Sequence, residues 1–173
     1  MEGRALPYPP PINLLNGTNK YMKAMIQRVL EASVEVEGVQ IGRCGEGFLI
    51  LLGVEKGDEA RDALLLADKI AKLRVFRDEN GKMNRSVQDI GGSVLVISQF
   101  TLCANYRHGN RPDFLDAAAP ADAKALYEHF SALMKERLGA DRVENGEFGA
   151  DMKVSLINNG PVTIQLESGV LRK

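Results

Sequence analysis

Phe48-Leu49-Ile50-Leu51-Leu52-Gly53-Val54 is the most apolar stretch of the chain, seven residues that follow a Gly45-Glu46-Gly47 turn. A transmembrane helix needs roughly 18 consecutive apolar residues, so this run does not span a bilayer. It is short, bounded by turns and apolar at every position. That pattern predicts a central strand buried on both faces. Upstream, Met25 to Val36 carries β-branched residues in partial alternation and reads as a strand that continues or bends into a second one. Gly38 supplies a turn, and Val39 to Cys44 is a short strand. Downstream, Asp58 reads as an N-cap, and Leu64, Leu65, Ala67, Ile70, Ala71 and Leu73 recur at helical spacing up to Leu73 or Arg74. Val75 to Arg77 is a short strand and Asp78 to Gly81 a turn. Gly91-Gly92 breaks the chain before the strand Ser93 to Phe100. Pro120 opens a second helix that Gly139 stops. Met152 to Ile157 and Val162 to Leu166 read as two closing strands separated by Asn158-Asn159-Gly160-Pro161. Several strands with two long helices predict an α+β domain with a curved, mixed or antiparallel, barrel-like sheet. No regular strand–helix alternation supports a doubly wound fold.

Composition narrows the function classes. The 173 residues hold 22 Lys and Arg against 23 Asp and Glu, a net charge of −1. Non-specific nucleic-acid coating rests on many unopposed cations, so it is disfavoured, while a local basic pocket is not. Pro7, Pro9, Pro10 and Pro11 lie in a stretch without periodicity. Residues 1–21 are therefore expected to be a disordered leader or extension, with one domain over 22–173. Cys44 and Cys103, without C-x-x-C spacing or a secretory signal, fit reduced structural thiols in a cytoplasmic protein. His108 and His129 have no ligand-spaced partner, so no metal is expected, and His129 fits a helix-surface residue. Neither G-x-G-x-x-G nor G-x-x-x-x-G-K-[ST] occurs, and no organic cofactor is expected.

Two segments are chemically dense. Ser98-Gln99-Phe100-Thr101-Leu102 ends a buried strand, where side chains converge as the chain leaves the core. It supplies two hydroxyls, an amide and a flat apolar ring. The same hydroxyls also suit a structural turn, in which they satisfy nearby backbone groups. Asn158-Asn159-Gly160-Pro161-Val162-Thr163 holds a Gly-Pro bond, for which cis is accessible. A plain hairpin reversal between two strands accounts for it equally well.

Together with Ile26-Gln27-Arg28-Val29, Leu52-Gly53-Val54, Gly81-Lys82-Met83-Asn84, Gly91 to Val96, Arg111-Pro112 and Ala150-Asp151-Met152, these segments resemble the D-aminoacyl-tRNA deacylase family from about Met22 to Glu167. The resemblance implies a homodimer that hydrolyses the ester joining a D-amino acid to the terminal adenosine of tRNA. It also implies action on glycine mischarged on tRNA(Ala). It further implies that a cis Gly160-Pro161 peptide enters the partner's site and excludes L side chains with its carbonyl groups. Arg28 would help hold that loop, Met152 would precede it and, with Ser98, take part in substrate binding, Gln99 and Phe100 would line the adenosine and ester end, and Gln99, Phe100 and Thr101 would be the catalytic residues. Arg107, His108 and Arg111 could meet phosphates of the acceptor end, or form a solvated loop.

For the chemical step, two routes are open. In one, the terminal 2′-hydroxyl of the tRNA assists water while backbone N–H groups near Phe100 and Thr101 stabilise the oxyanion. In the other, Thr101 is a covalent nucleophile. The first is preferred because no base is evident beside Thr101. The competing readings are a related aminoacyl-tRNA editing esterase and a non-catalytic tRNA- or DNA-binding accessory module. No membrane association is expected.

Overall fold

The computed structural model describes residues 21–172, so the leader expected over 1–21 lies outside the described residues except for Tyr21. The apolar run forms β3 (Gly47–Gly53), which lies between β1 (Lys23–Val36) and β6 (Ser93–Ser98). Every β3 residue except Leu51 is buried, as expected of a central strand. β1 pairs antiparallel with β2 (Val39–Cys44) along its second half and with β3 along its first. β3, β6 and β7 (Val143–Asn145) run parallel. The sheet is therefore mixed, in the order β2-β1-β3-β6-β7, with β8 (Met152–Glu167) on the other edge of β1. A separate two-stranded ribbon joins β4 (Phe76–Arg77) to β5 (Met83–Arg85), a strand without a sequence signal of its own.

Parallel neighbours need crossover connections, and the two long helices supply them. α1 (Ala60–Lys72) lies between β3 and β6, and α2 (Pro120–Leu138) between β6 and β7. α1 and α2 pack on one face of the sheet, where Phe48, Ile50, Leu66, Ile70, Phe130 and Met134 are among the fully buried residues. The opposite face holds a second cluster, including Val29, Val34, Leu49, Leu95 and Ile97. Among the described residues, the partly buried Met152, Val154 and Leu156 of β8 and Leu51 pack against it. A short α3 (Ser168–Leu171), not signalled by periodicity, closes the chain, and Arg172 reaches the fully buried Asp62 at 2.9 and 2.5 Å. Pro120 and Gly139 bound α2 as expected.

Three sequence expectations are corrected. Asp58 is not the cap of α1. That position is Glu59, whose N–H donates to Asp62 Oδ2 at 2.9 Å, while Asp58 Oδ2 accepts the N–H of Glu55 at 2.7 Å in the preceding turn. The strand expected to reach Phe100 stops at Ser98, because the Gln99 N–H makes the last bond to β3 and Phe100–Cys103 then turns into a 3-10 helix. Finally, the two closing strands are not a hairpin. Both halves of β8 pair with β1 in the same direction, from Val36↔Met152 to Lys23↔Glu167.

Asp58 carries a titration consequence. Burial, reinforced by the charges of Asp62 and Glu55, pushes its carboxyl up to about 6 despite the Glu55 N–H it accepts, and its Oδ1 is buried without a hydrogen-bond partner among the described residues. A folded-state value above the unfolded one means that the native protein holds this proton more tightly. The contribution is present in full below about pH 4 and is lost as pH rises towards 6. The variant Asp58→Asn should gain stability relative to the parent between pH 4 and pH 7, read from urea denaturation at each pH; a constant difference would contradict this assignment.

Candidate functional site

The Gly160–Pro161 segment is an excursion within one strand. On β1, Gln27 pairs with Thr163 and Val29 with Asn158, so the single residue Arg28 stands opposite the four residues 159–162. The extra chain must leave the ladder, and its polar groups need other partners. Arg28 provides one. Its Nε donates to Asn159 O at 2.7 Å, and its Nη1 donates to Val75 O at the entry to β4. Asn158 provides more. Its Oδ1 accepts the Val162 N–H at 2.7 Å, and its Nδ2 donates to Val162 O at 3.2 Å and Thr163 Oγ1 at 3.1 Å. The Gly160–Pro161 peptide is cis. A Cβ on Gly160 would lie 2.8 Å from Val162 N and 3.2 Å from Arg28 Nη2, so the close approach requires glycine there.

Arg28 is 3% exposed, and burial, with the nearby charge of Arg77, lowers its guanidinium below the ordinary arginine range. An arginine pKa starts high enough that the group stays cationic at neutral pH.

Ser98, Gln99, Phe100 and Thr101 gather at the carboxyl end of β6, where Gln99 N–H donates to Leu52 O at 2.8 Å. Gln99 Nε2 donates to Thr101 Oγ1. An amide N–H is a donor with no proton-accepting capacity, so this partner does not act as a base for Thr101. Phe100 is 59% exposed and meets Phe114 edge-on at 5.0 Å and 72°. The turn's first internal bond runs from Leu102 N–H to Gln99 O at 3.2 Å, so the Phe100 and Thr101 N–H groups precede its hydrogen-bonded part. Met152 reaches this end of the sheet from β8. A Cβ on Gly146 would lie 2.7 Å from Met152 Sδ and 2.8 Å from Ile97 Cδ1, so both side chains crowd the glycine.

Arg107, His108 and Arg111 are exposed on a loop whose base is closed by reciprocal Asn105–Asp113 backbone bonds of 2.8 and 2.9 Å. Phe114, the next residue, ties that base to Phe100. Sequence reasoning missed Phe114, Gly146 and the clamp made by Asn158. The only signal was the Asn four residues before Val162. The thiols of Cys103 and Cys44 are buried and pushed up to about 11 by desolvation, so neither is a ready nucleophile.

The structure does not bring the two dense segments together within one chain. Arg28 is level with Phe48 and Val94, whereas Ser98 is level with Leu52. Four register positions separate them along the strands, about 13 Å, with two strand spacings across.

The model for D-Tyr-tRNA(Tyr) deacylase matches residues 25–167. The chain belongs to that family. It is 58% identical to a D-aminoacyl-tRNA deacylase of Paracoccus denitrificans over 147 residues, 85% of this chain and 97% of the relative. The Anaeromyxobacter dehalogenans D-aminoacyl-tRNA deacylase is 54% identical over the same coverage. Among solved structures, a c-Myc DNA unwinding element binding protein superposes with TM-score 0.80 at 41% identity, covering 84% of this chain and 97% of its own. A probable eukaryotic D-amino acid tRNA deacylase shares the fold, with TM-score 0.76 at 16% identity over 85% of this chain and 99% of its own.

The Arg28 geometry is testable apart from activity. Arg28→Lys keeps the charge but cannot reach two carbonyls in different directions, and should cost about 1–3 kcal/mol in urea denaturation. Parent-like stability would show that the Asn159 and Val75 carbonyls do not depend on the fork.

Proposed function

We propose that this deacylase acts as a homodimer in which the Gly160–Pro161 turn of one subunit completes the Ser98–Thr101 site of the other. Membership of the family carries the coarse activity, hydrolysis of D-aminoacyl-tRNA. The observation behind the finer reading is the separation of the two segments: each is well held, they face opposite ends of β3 and β6, and a second copy is the means of joining them. An isologous contact does this twice. β8 offers the surface for it. Leu30 and Ile157 are 51% and 50% exposed beside the turn, and Met152, Val154 and Leu156 leave their cluster only partly covered.

In the composite site, the carbonyl oxygens of Gly160 and Pro161 accept the substrate's amino group and fill the space an L side chain would need. A steric clash rejects more strongly than a missing contact. Glycine has no side chain to reject, so glycine on tRNA(Ala) is a substrate as well. Gln99 and Phe100 bind the adenosine and ester end. Water attacks the ester carbonyl carbon, assisted by the 2′-hydroxyl of the terminal ribose. The Phe100 and Thr101 N–H groups stabilise the oxyanion, the bond to the ribose oxygen breaks, and that oxygen takes a proton. The Gln99–Thr101 contact favours this route over a Thr101 nucleophile, which needs a proton acceptor that Gln99 is not. Arg107, His108 and Arg111, on the loop tied to Phe100 through Phe114, meet acceptor-end phosphates. The DNA-binding description of one structural relative is the reason to keep a non-catalytic binding role as the second reading.

Matched D- and L-aminoacyl-tRNAs test this directly. The D-ester should be hydrolysed and the L-ester spared; equal rates would remove the Gly-Pro filter, and no hydrolysis of either would leave the binding role. Replacing the terminal 2′-hydroxyl by hydrogen should abolish turnover, whereas complete inactivation of Thr101→Ala with binding intact would instead favour the nucleophile. The dimer has its own check: Ile157→Asp should shift light scattering from two copies to one and remove hydrolysis while the far-UV circular dichroism stays native. An active monomer would overturn the composite site.

A further inference from the structure

Phe100 differs from its neighbours in how it is held. Around it the 3-10 turn is fastened by backbone bonds: Gln99 N–H donates to Leu52 O at 2.8 Å, Leu102 N–H to Gln99 O at 3.2 Å, and Ala104 N–H to Thr101 O at 3.2 Å. Leu102 also packs on Gly53, where an added Cβ would lie 2.9 Å from Leu102 Cβ. The buried Cys103 thiol donates to Val54 O at 3.6 Å. The Phe100 ring, by contrast, stands 59% exposed, and its aromatic partner is Phe114, edge-on at 5.0 Å and 72°.

Phe114 is itself held from both sides. Before it, Asp113 exchanges backbone bonds of 2.8 and 2.9 Å with Asn105, and Asp113 Oδ1 accepts the Leu115 N–H at 3.1 Å. After it, Phe114 O accepts the Ala117 N–H at 3.1 Å, Lys56 N–H donates to Asp116 O at 2.9 Å, and Ala118 N–H donates to Val54 O at 3.0 Å. Val54 O thus receives both the Cys103 thiol and the Ala118 N–H. The segments carrying Phe100 and Phe114 are therefore anchored at one point, the exit of β3, and the ring pair closes the circuit between them. An edge-to-face pair fixes an orientation as well as a distance, because the positive edge of one ring meets the negative face of the other. An aliphatic side chain at 114 would fill the space without setting the plane of Phe100.

We infer that Phe114 is a positioning residue for the ester hydrolysis. It acts through Phe100: by fixing that ring it fixes the start of the turn, and with it the Phe100 and Thr101 N–H groups that face the oxyanion. Such donors are effective when they already point to where charge develops, so a small displacement costs rate more than affinity. The inference rests on the deacylase reading. It gives Phe114 a role distinct from that of Arg107, His108 and Arg111, which precede it on the loop and bear on tRNA affinity.

The test measures kcat and KM separately for two esters of one D-amino acid, one on intact tRNA and one on adenosine alone. Phe114→Leu should lower kcat about fivefold on both esters, the factor that one edge-to-face pair supports, with KM and its salt dependence unchanged. Phe114→Tyr, which keeps the aromatic edge, should stay close to the parent. A double-mutant cycle identifies the route. Phe100→Leu breaks the same ring pair, so adding Phe114→Leu to it should bring little further loss, whereas a merely structural role would make the two losses multiply. Urea denaturation of each variant establishes that it is folded under the assay conditions. Parent-like kcat in Phe114→Leu, multiplying losses in the cycle, or a loss confined to KM on the tRNA ester would each overturn the positioning role while the deacylase reading stands. If the parent hydrolyses neither ester, both fall together.

Discussion

The buried guanidinium of Arg28 is the contact on which the arrangement around Gly160–Pro161 depends. A cation taken out of water must be matched by acceptors, and here they are carbonyl oxygens from two separate pieces of chain, Asn159 and Val75. One planar group thus ties the excursion of β8 to the entry of the β4–β5 ribbon. Asn158 closes the other side by pairing with both the N–H and the C=O of Val162. Four residues that have left the ladder would otherwise have unpaired polar groups; with these bonds they form a held projection from the strand.

The sheet explains why that projection and the Ser98–Thr101 segment belong to different ends of the molecule. β3 and β6 are parallel, so both deliver their carboxyl ends to the same side, where Gln99 donates its N–H to Leu52 and the 3-10 turn begins. β1 runs the other way, and Arg28 falls towards the opposite end of β3. The helices pack on one face. On the other, among the described residues, the apolar side chains of β8 stay partly open beside the exposed Leu30 and Ile157. Packing, exposed apolar surface and the divided site all concern the same strand.

Much of the architecture was legible in residues 48–54, 93–98 and 120–138, because a buried run, a second apolar strand and a Pro-to-Gly helix each carry a local signal. The strand Phe76–Arg77 was signalled, but its partner β5 and the short α3 have no such signal; they are held by tertiary contacts, including the reach of Arg172 to Asp62. Within α2, the apolar spacing indicated Phe130 and Met134 but not Tyr127 and Ser131. Those two are buried because their hydroxyls find Val96 and Asn145, partners from other elements. In the candidate site, Ser98 to Thr101 stood out as a polar strand end, whereas Phe114 and Gly146 became visible only through what they touch.

By itself the sequence determined most element types and the buried central strand, since these are written in local composition and spacing, and its motifs carried the resemblance to the family. It left the Asn158–Pro161 stretch open between a hairpin and something else. Only the tertiary structure decided that, by showing Met152 to Asn158 and Thr163 to Glu167 paired in one direction along the same β1. Strand direction is a property of the partner, not of the residues in the strand, so no periodicity records it. For the same reason the distance between Gly160 and Ser98 in one chain, and with it the case for a second copy, exists only once the register is known.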